Sequence, residues 1–285
     1  MARRAIVAGQ FYEESFDVLN KQIEACFKHK LGPGELPGKR ADSQIKGAVV
    51  PHAGYMASGP CAAWAYKSIA ESPFADAYII LGNTHSGSES CLSLEDWETP
   101  LGIVQVDKVL AEKIMENTGL NVNEIAHSIE HSIEVQLPFL QYTCKDNLKK
   151  LRIVPIIVAH GESYRELGAA IKKTIEESGK NVVIIASSDF THYGMNYGYV
   201  PFTENIPENL TKLDKGAIAW IEKRNSYRFI DYVAEKKATV CGMYAIAVII
   251  DAVKAEKAKL LQYFNSGDVT GDYSSAVGYA AITFK

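Results

Sequence analysis

The chain has 285 residues, of which 47% are hydrophobic and 22% charged, enough for one large hydrophobic core. The formal net charge of −4, with lysines interspersed along the chain, argues against nucleic acid as a partner. The longest apolar segment is too short to span a bilayer, and the five cysteines form no C-x-x-C pair. These features predict a single cytoplasmic domain over residues 1–285, without a membrane partner.

Short apolar runs alternate with helical patterns along most of the chain. Four runs rich in Val and Ile are predicted to be strands buried on both faces of a sheet: 46–50, 77–81, 152–158 and 181–187. Helices are expected at 106–119, 164–179, 209–223, 226–236 and from about Cys241, and further strands at 259–265 and 276–284. This alternation predicts an α/β fold, a layered sandwich around a central, mostly parallel or mixed sheet.

A histidine follows each of the four buried strand candidates within a few residues. These histidines are His52, His85, His160 and His192. In open α/β sheets, ligands bind at the carboxyl ends of the strands, so we expect several of these imidazoles to lie at one edge of the sheet. Two or three neutral imidazoles in one place suit a divalent metal ion. The sequence therefore predicts a metal site at that edge.

The third metal ligand is left open by the residues themselves. Asp189 lies on the same predicted strand end as His192. Cys241 stands at or just before a helix, where the helix dipole is expected to lower the pKa of the thiol and favour the thiolate. A small apolar residue packed under its helix is the alternative interpretation of Cys241.

A literal H-x-x-E-H pattern runs from His127 to His131 and matches the inverted zincin motif of zinc proteases. On a helix, His127, Glu130, His131 and Glu134 would share one face. The match covers only five residues, so a zincin site is not the favoured interpretation. We expect instead that His131 and Glu134 lie at the rim of the strand-end site or support its ligands.

Seven motifs in order along the chain resemble the Memo family. They are "AGQFY" (8–12), "PHAGY" (51–55), "LGNTH" (81–85), "EHSIEVQLPFLQ" (130–141), "SSDFTHYG" (187–194), "CG" (241–242) and "GDVTGDYSSAVGYAAI" (267–282). The fold of this family is similar to that of class III extradiol dioxygenases, non-haem iron enzymes that open catechol rings. The resemblance therefore implies an α/β sandwich with its site at the strand ends.

The resemblance also implies roles for individual residues. His52 and His85 correspond to the two metal-binding histidines, and Cys241 stands where the dioxygenases carry a glutamate. His192 corresponds to the acid/base histidine, with Asp189 beside it. Fe(II) is the expected ion, and copper or zinc are alternatives because a thiolate is a softer ligand than a carboxylate.

The expected function is that of a metal-dependent oxygenase or redox enzyme acting on a small aromatic or phenolic molecule. Phe11, Tyr12 and Tyr55 are expected to wall its pocket. One alternative is a non-catalytic protein that keeps the pocket to bind a metal or a peptide. Another is a metal-free hydrolase in which Cys241 is the nucleophile and His192 and Asp189 assist it. The oligomeric state stays open, and a homodimer through an exposed helix is compatible with the sequence.

Overall fold

The computed structural model describes residues 2–87 and 89–285. The strands in this part of the chain are β1 (Ala2–Arg3), β2 (Gly47–Val50), β3 (Ala77–Asn83), β4 (Cys91–Leu92), β5 (Asp96–Thr99), β6 (Gly102–Val106), β7 (Asn121–Val122), β8 (Arg152–Val158), β9 (Val182–Ser187), β10 (His192–Gly194), β11 (Ala258–Asn265) and β12 (Ser275–Phe284). The helices are α1 (Phe16–Lys28), α2 (Tyr55–Ala70), α3 (Lys108–Thr118), α4 (Glu124–Ile129), α5 (Gln136–Thr143), α6 (Tyr164–Ser178), α7 (Ile206–Glu222), α8 (Ser226–Lys236), α9 (Met243–Ala252) and α10 (Ser266–Thr270). None of the helices within the described residues combines the length and the apolar character that crossing a membrane demands.

The strands form one large sheet whose central part is parallel. The strand order there is β6-β8-β3-β9-β2, and each neighbouring pair in that run is parallel. Beyond β2 the sheet continues with β12, to which β10 and β11 pair in the antiparallel sense. Strands β2, β3 and β9 are buried along their whole length, as their continuous Val and Ile content predicts. The expected α/β fold with a mostly parallel central sheet is confirmed.

Helices cover both faces of the sheet. The chain passes from β2 to β3 through α2 in one direction across the sheet, and from β8 to β9 through α6 in the opposite direction. Because parallel crossovers are right-handed, this reversal places α2 and α6 on opposite faces. Accordingly, α2 packs with α1 and α5 over β2, β11 and β12, whereas α6 packs with α3 and α9, and α9 lies on β3 and β9.

The segment that carries the H-x-x-E-H pattern is not one helix. Helix α4 ends at Ile129, Glu130 is extended (φ −100°, ψ 133°), and α5 begins only at Gln136. The carboxylate of Glu130 accepts hydrogen bonds from the backbone N–H groups of His131 and Ser132, both 2.8 Å long. These amides are therefore not available to continue the helix, and the expectation of a shared helical face from His127 to Glu134 is wrong.

Candidate metal centre

Three of the expected functional residues occupy the same position relative to their strands. His52, His85 and Asp189 are each the second residue after a strand, following β2, β3 and β9 respectively. In the sheet, β9 lies between β2 and β3, and all three strands run parallel. Their carboxyl ends therefore meet at one edge, which brings the three side chains together.

Two groups of possible metal ligands lie at this edge, and both include His52. The imidazole group consists of His52, His85 and His131, and the thiol group consists of His52, Asp189 and Cys241. Within each group, one ligand atom from every residue lies within 4.8 Å of those of the other two. The three ligands implied by the family resemblance are thus divided, because His85 belongs to one group and Cys241 to the other.

The rings of the imidazole group have a regular arrangement. His85 and His131 are stacked, with ring centroids 4.4 Å apart and an interplanar angle of 18°. The ring of His52 stands nearly perpendicular to both, with centroids 5.6 Å from His85 and 5.7 Å from His131. Phe11 lies against His131, with centroids 4.7 Å apart, so an aromatic side chain borders the group.

Hydrogen bonds fix the tautomer of His52. The hydroxyl of Ser187 donates its single proton to the carbonyl of Ser132 at 2.6 Å and accepts from the amide of Gln136 at 2.7 Å. Towards His52 Nδ1, 3.0 Å away, this hydroxyl can therefore only accept, so Nδ1 carries the proton. Burial lowers the pKa of His52 to about 4, and the neutral ring directs the lone pair of Nε2 into the site, 3.4 Å from the sulfur of Cys241.

Glu130 holds His85 through Nδ1 as Ser187 holds His52, a role that the sequence pattern around Glu130 does not indicate. Its carboxylate, 1% exposed, accepts from the backbone N–H of His85 at 2.7 Å and from Nδ1 of the same residue at 2.9 Å. Burial opposes the charge, but the hydrogen bonds and charge of His85 and the backbone amides lower the pKa of Glu130 to about 2. Burial also lowers the pKa of His85, yet the Glu130 carboxylate outweighs it and raises that pKa above its ordinary value.

His131 differs from the other two histidines in that its ring nitrogens have no hydrogen-bond partner among the described residues. Within residues 2–87 and 89–285, no group hydrogen-bonds to either ring nitrogen of His131. The nearest carboxylate oxygen, from Glu130, is 3.7 Å from Nδ1. Burial first, and then the charge of His85, lower the pKa of His131, so the ring is neutral and its nitrogen lone pair is available to an ion.

The thiol of Cys241 is not poised as a thiolate. Cys241 lies two residues before the start of α9, and its sulfur accepts from the backbone N–H of Asp189 at 3.3 Å. Burial, and secondarily the charge of Asp189, raise the pKa of this thiol well above its usual range. The expectation that the helix dipole lowers this pKa is therefore wrong, and a raised pKa is unfavourable for a metal-free nucleophile.

A glycine lets the Cys241 loop approach strand β9. A Cβ atom at Gly242 would lie 2.6 Å from Cβ of Ser188 and 2.7 Å from the carbonyl oxygen of Ser187. The backbone N–H of Gly242 instead donates to the hydroxyl of Ser188 at 3.0 Å. The "CG" pair thus combines a possible ligand with the residue that allows its close packing.

His192 lies next to this loop, on β10. Its Nδ1 is 3.0 Å from the carbonyl oxygens of both Phe190 and Thr239. Because carbonyl oxygens only accept, Nδ1 carries a proton and Nε2 is left as the second functional nitrogen. Tyr197 packs against the ring, with centroids 5.1 Å apart.

The remaining histidines of the sequence patterns lie elsewhere. His127 is fully buried, with Nε2 at 3.3 Å from the carbonyl of Cys91 and its ring edge-on to Trp97. His160 is exposed and packs on Tyr244. Neither residue belongs to a group of possible metal ligands within the described part of the chain.

Glu134 anchors the N-terminal segment, residues 2–12, rather than facing the histidines. It is fully buried, and its carboxylate accepts from Arg3 at 2.6 Å and from the hydroxyl of Tyr12 at 2.7 Å. It also accepts from two backbone N–H groups of the segment, those of residues 6 and 7. Tyr12 and Tyr55 are each only 2% exposed, so they support the site from the core, and Phe11 is the aromatic residue of this set that contacts a site histidine.

The donor atoms fit a transition-metal ion. The imidazole group offers three nitrogens, and His52 and His85 are held through Nδ1 by buried acceptors, as metal-binding histidines usually are. Among the described residues, the side-chain oxygen of Asn83 is buried without a hydrogen-bond partner, and the side-chain nitrogen of Asn83 lies 3.2 Å from Nε2 of His85. The described residues therefore leave one buried polar atom beside His85 unsatisfied.

The fold and these donors define an α/β protein with a candidate metal centre at the carboxyl ends of parallel strands. The family described as Memo-like protein matches residues 3–283. A MEMO1 family protein of Methanopyrus kandleri is 41% identical, and the alignment covers 100% of this chain and 99% of that protein. A MEMO1 family protein of Methanothermobacter thermautotrophicus is 40% identical, and the alignment covers 99% of this chain and 100% of that protein. The chain belongs to the Memo family.

A solved structure shares the fold at low sequence identity. An uncharacterized protein of Escherichia coli K12 superposes with a TM-score of 0.55 and is 12% identical. The alignment covers 85% of this chain and 100% of the other. This similarity concerns the fold alone.

Proposed function

We propose that this member of the Memo family is a metal-dependent redox enzyme of the oxygenase type, acting on a small aromatic or phenolic molecule. The observation that supports the proposal most is the pairing of His52 and His85. Both rings are held through Nδ1 by buried acceptors, and both stand at the carboxyl ends of strands that flank β9. These two histidines would hold the ion, with His131 as the third member of their group.

Fe(II) is the ion best suited to this function, with copper or zinc as alternatives. When bound, an iron ion supplies the one-electron exchange with dioxygen that amino-acid side chains do not provide. A dioxygenase reaction places both atoms of one O₂ in the product, so it requires no separate reductant. The protein itself orients the substrate, moves its proton and limits access of water.

His192 is the proposed acid/base residue. A proton on Nδ1 is fixed by two backbone carbonyls, so Nε2 accepts the proton of a phenolic hydroxyl. The same carbonyl dipoles stabilise the imidazolium ion that forms. Asp189 accepts a hydrogen bond from the backbone N–H of His52 at 2.9 Å and so holds the end of the neighbouring strand. Its proposed role is to position His52, and the substrate proton is moved by His192.

An aromatic substrate is favoured by the aromatic residues that flank the site. Phe11 contacts His131, and Tyr197, which is 43% exposed, contacts His192. A flat ring packed against either aromatic residue would gain both apolar burial and edge-to-face contacts. Its hydroxyl would then face the histidines.

The test is oxygen uptake by protein purified without a His-tag and loaded with Fe(II) under anaerobic conditions. With a panel of catechols, we expect substrate-dependent uptake of one O₂ per product. A His192→Asn variant should keep its iron and lose about 10²- to 10⁴-fold in rate, whereas His160→Asn, at an exposed strand end, should match the parent. Iron retention without uptake on any phenol would favour the non-catalytic binding protein.

A further inference from the structure

We propose that a groove at the amino ends of the parallel strands binds a medium-chain aliphatic carboxylate. The groove lies between the last turns of α6 and α9 and the first residues of β9, beside Lys46, which precedes β2. His52 follows the other end of β2, so the groove lies at the opposite edge of the sheet from the candidate metal centre. A metal ion takes no part in this proposal.

The walls of the groove are largely apolar. They include the aliphatic side chains of Ile175, Val182, Ile184, Ala252 and Val253. The cavity has a volume of about 280 Å³, slightly below the range of pockets that take drug-sized ligands. The space therefore suits a smaller molecule, and these walls would bury a hydrocarbon chain.

A glycine keeps one of these walls close to the sheet. A Cβ atom at Gly47, the first residue of β2, would lie 2.9 Å from Cδ1 of Ile249 and 3.1 Å from Cγ1 of Val253. The end of α9 can pack this tightly on β2 only because the side chain is missing there. Val253 is thereby fixed as part of the groove.

Charged side chains give the groove an excess of positive charge. Four lysines and one acidic residue line it: Lys46, Lys172, Lys180, Lys254 and Glu176. Lys180 forms an ion pair with Asp107. The other three lysines have no carboxylate within ion-pair distance in the part of the chain that the structure describes. The chain as a whole has a net charge of −4, so this positive charge is a local feature.

Helix dipoles alone do not account for these lysines. A lysine in the last turn of a helix complements the partial negative charge there. Neither α6 nor α9 has a basic residue in its last turn, and that of α6 contains Glu176. Lys254 follows the end of α9, but Lys172 lies before the last turn of α6 and Lys46 precedes a strand. What these three lysines share is the groove.

The combination of walls and charges selects the ligand. An inorganic anion would use the lysines and not the apolar walls, whereas a neutral hydrocarbon would use only the walls. A carboxylate with a hydrocarbon chain uses both, because ammonium groups attract it as point charges. Glu176 also lines the groove and would repel further negative charge, so a single carboxylate is favoured over a polyphosphate.

Calorimetric titration of the metal-free, full-length protein with octanoate tests the proposal. We expect saturable binding of one octanoate per chain, weakened by added salt because the lysines are partly open to solvent. Octanol has the same chain without the charge, and acetate has the charge without the chain. Each should bind about fivefold or more weakly than octanoate. Absence of saturable octanoate binding would overturn the proposal, as would octanol binding as tightly as octanoate.

Variants of the groove separate this site from binding elsewhere. The double variant Lys172→Gln with Lys254→Gln should weaken octanoate binding by about 3- to 10-fold, and it alters only side chains that reach the surface. Ile175→Ser should cause a similar loss by removing apolar contact. Lys173→Gln is the matched control, since Lys173 pairs with Glu177 at 3.7 Å and does not line the groove. An unchanged affinity in the double variant, or an equal loss in Lys173→Gln, would place the ligand elsewhere and refute the proposal.

Discussion

At the scale of single residues, Glu130 joins the two stacked histidines. Its carboxylate accepts four hydrogen bonds, two from His85 and one each from the backbone of His131 and Ser132. This set of donors keeps the carboxylate charged although it is 1% exposed. The charge in turn orients His85 so that Nε2 faces the site.

Replacement of Glu130 by glutamine should therefore weaken Co²⁺ binding by about 10- to 100-fold. The amide has one acceptor oxygen in place of two, so it cannot receive both the ring and the backbone donors of His85. Isothermal titration calorimetry of the metal-free variant measures the change. Glu124→Gln is the matched control, since Glu124 also accepts from a backbone N–H, that of Leu94, and from the hydroxyl of Ser93, neither of which belongs to a ligand group. Equal losses in both variants would contradict the role of Glu130.

Asp214 is a second buried carboxyl group, under the strand that carries His192. It is 1% exposed and accepts from the hydroxyl of Thr191 at 2.5 Å and from that of Tyr263 at 2.8 Å. Burial raises the pKa of Asp214 to about 6, and hydrogen bonds from Thr191 and Tyr263 only partly offset this. The folded protein therefore binds more protons here than the unfolded chain between about pH 4 and pH 6.

It follows that the contribution of Asp214 to the free energy of unfolding should fall as the pH rises through this window, by about 3 kcal/mol at most. Urea denaturation at several pH values measures the slope. Asp214→Asn should flatten that part of the profile even if it lowers stability at every pH. Asp231→Asn, whose side chain is 45% exposed, should keep the slope of the parent. A slope unchanged in Asp214→Asn would show that this carboxyl group ionises normally.

At the scale of elements, the N-terminal segment is held on the α4–α5 connection by a buried ion pair. Arg3 donates to Glu134 and to the carbonyls of His127 and Glu130, and its guanidinium lies 4.1 Å from the ring centre of Trp97. The segment also carries Phe11, which contacts His131. The anchoring of the segment and the border of the imidazole group are therefore linked.

Glu134→Gln should lower the free energy of unfolding by about 3–5 kcal/mol, because it leaves the Arg3 charge buried without a counter-ion. Chemical denaturation measures this loss, and limited proteolysis should cleave the variant near residues 2–12 sooner than the parent. The double variant Arg3→Met with Glu134→Gln should cost less than the sum of the single variants. Additive losses would mean that the two side chains act independently.

The elements also show how far the sequence determines the result. Strands such as β8 and β9 were predictable because a short, continuous run of Val and Ile is typical of a strand that is buried on both faces of a sheet. The helices that end at Gly119 and Gly179 were predictable as well, since both glycines adopt the left-handed conformation that the pattern requires. The end of the helix before Glu130 was not predictable. Helical spacing of side chains does not show that the Glu130 carboxylate accepts hydrogen bonds from the backbone N–H groups of the next two residues.

The site was predictable in its location and not in its chemistry. A histidine just after a buried parallel strand indicates the edge of the sheet, as His52 and His85 show. The protonation of Cys241 depends instead on burial beside Asp189, which lies 52 positions earlier in the chain. The role of Glu130 depends on which amides surround it. Such environments arise only when the chain has folded, so residue type and spacing do not encode them locally.

At the scale of the whole molecule, an ion at the strand ends links distant parts of the chain. His52, His85 and His131 come from three separate connections, so the unfolded chain cannot present them together. Co²⁺ at about 100 times its dissociation constant should therefore stabilise the fold by about 2.7 kcal/mol. Thermal unfolding followed by circular dichroism measures the rise in Tm, and His52→Gln should abolish that rise. A similar rise in His52→Gln would place the ion elsewhere.

The position of β2 in the sheet determines when its native strand pairing can form during synthesis. This strand leaves the ribosome early, but its two neighbours are β9 and β12, and β12 ends at Phe284. One edge of β2, with its N–H and C=O groups, thus has no native partner until β12 has been made. Until then, this edge of β2 is open to non-native pairing.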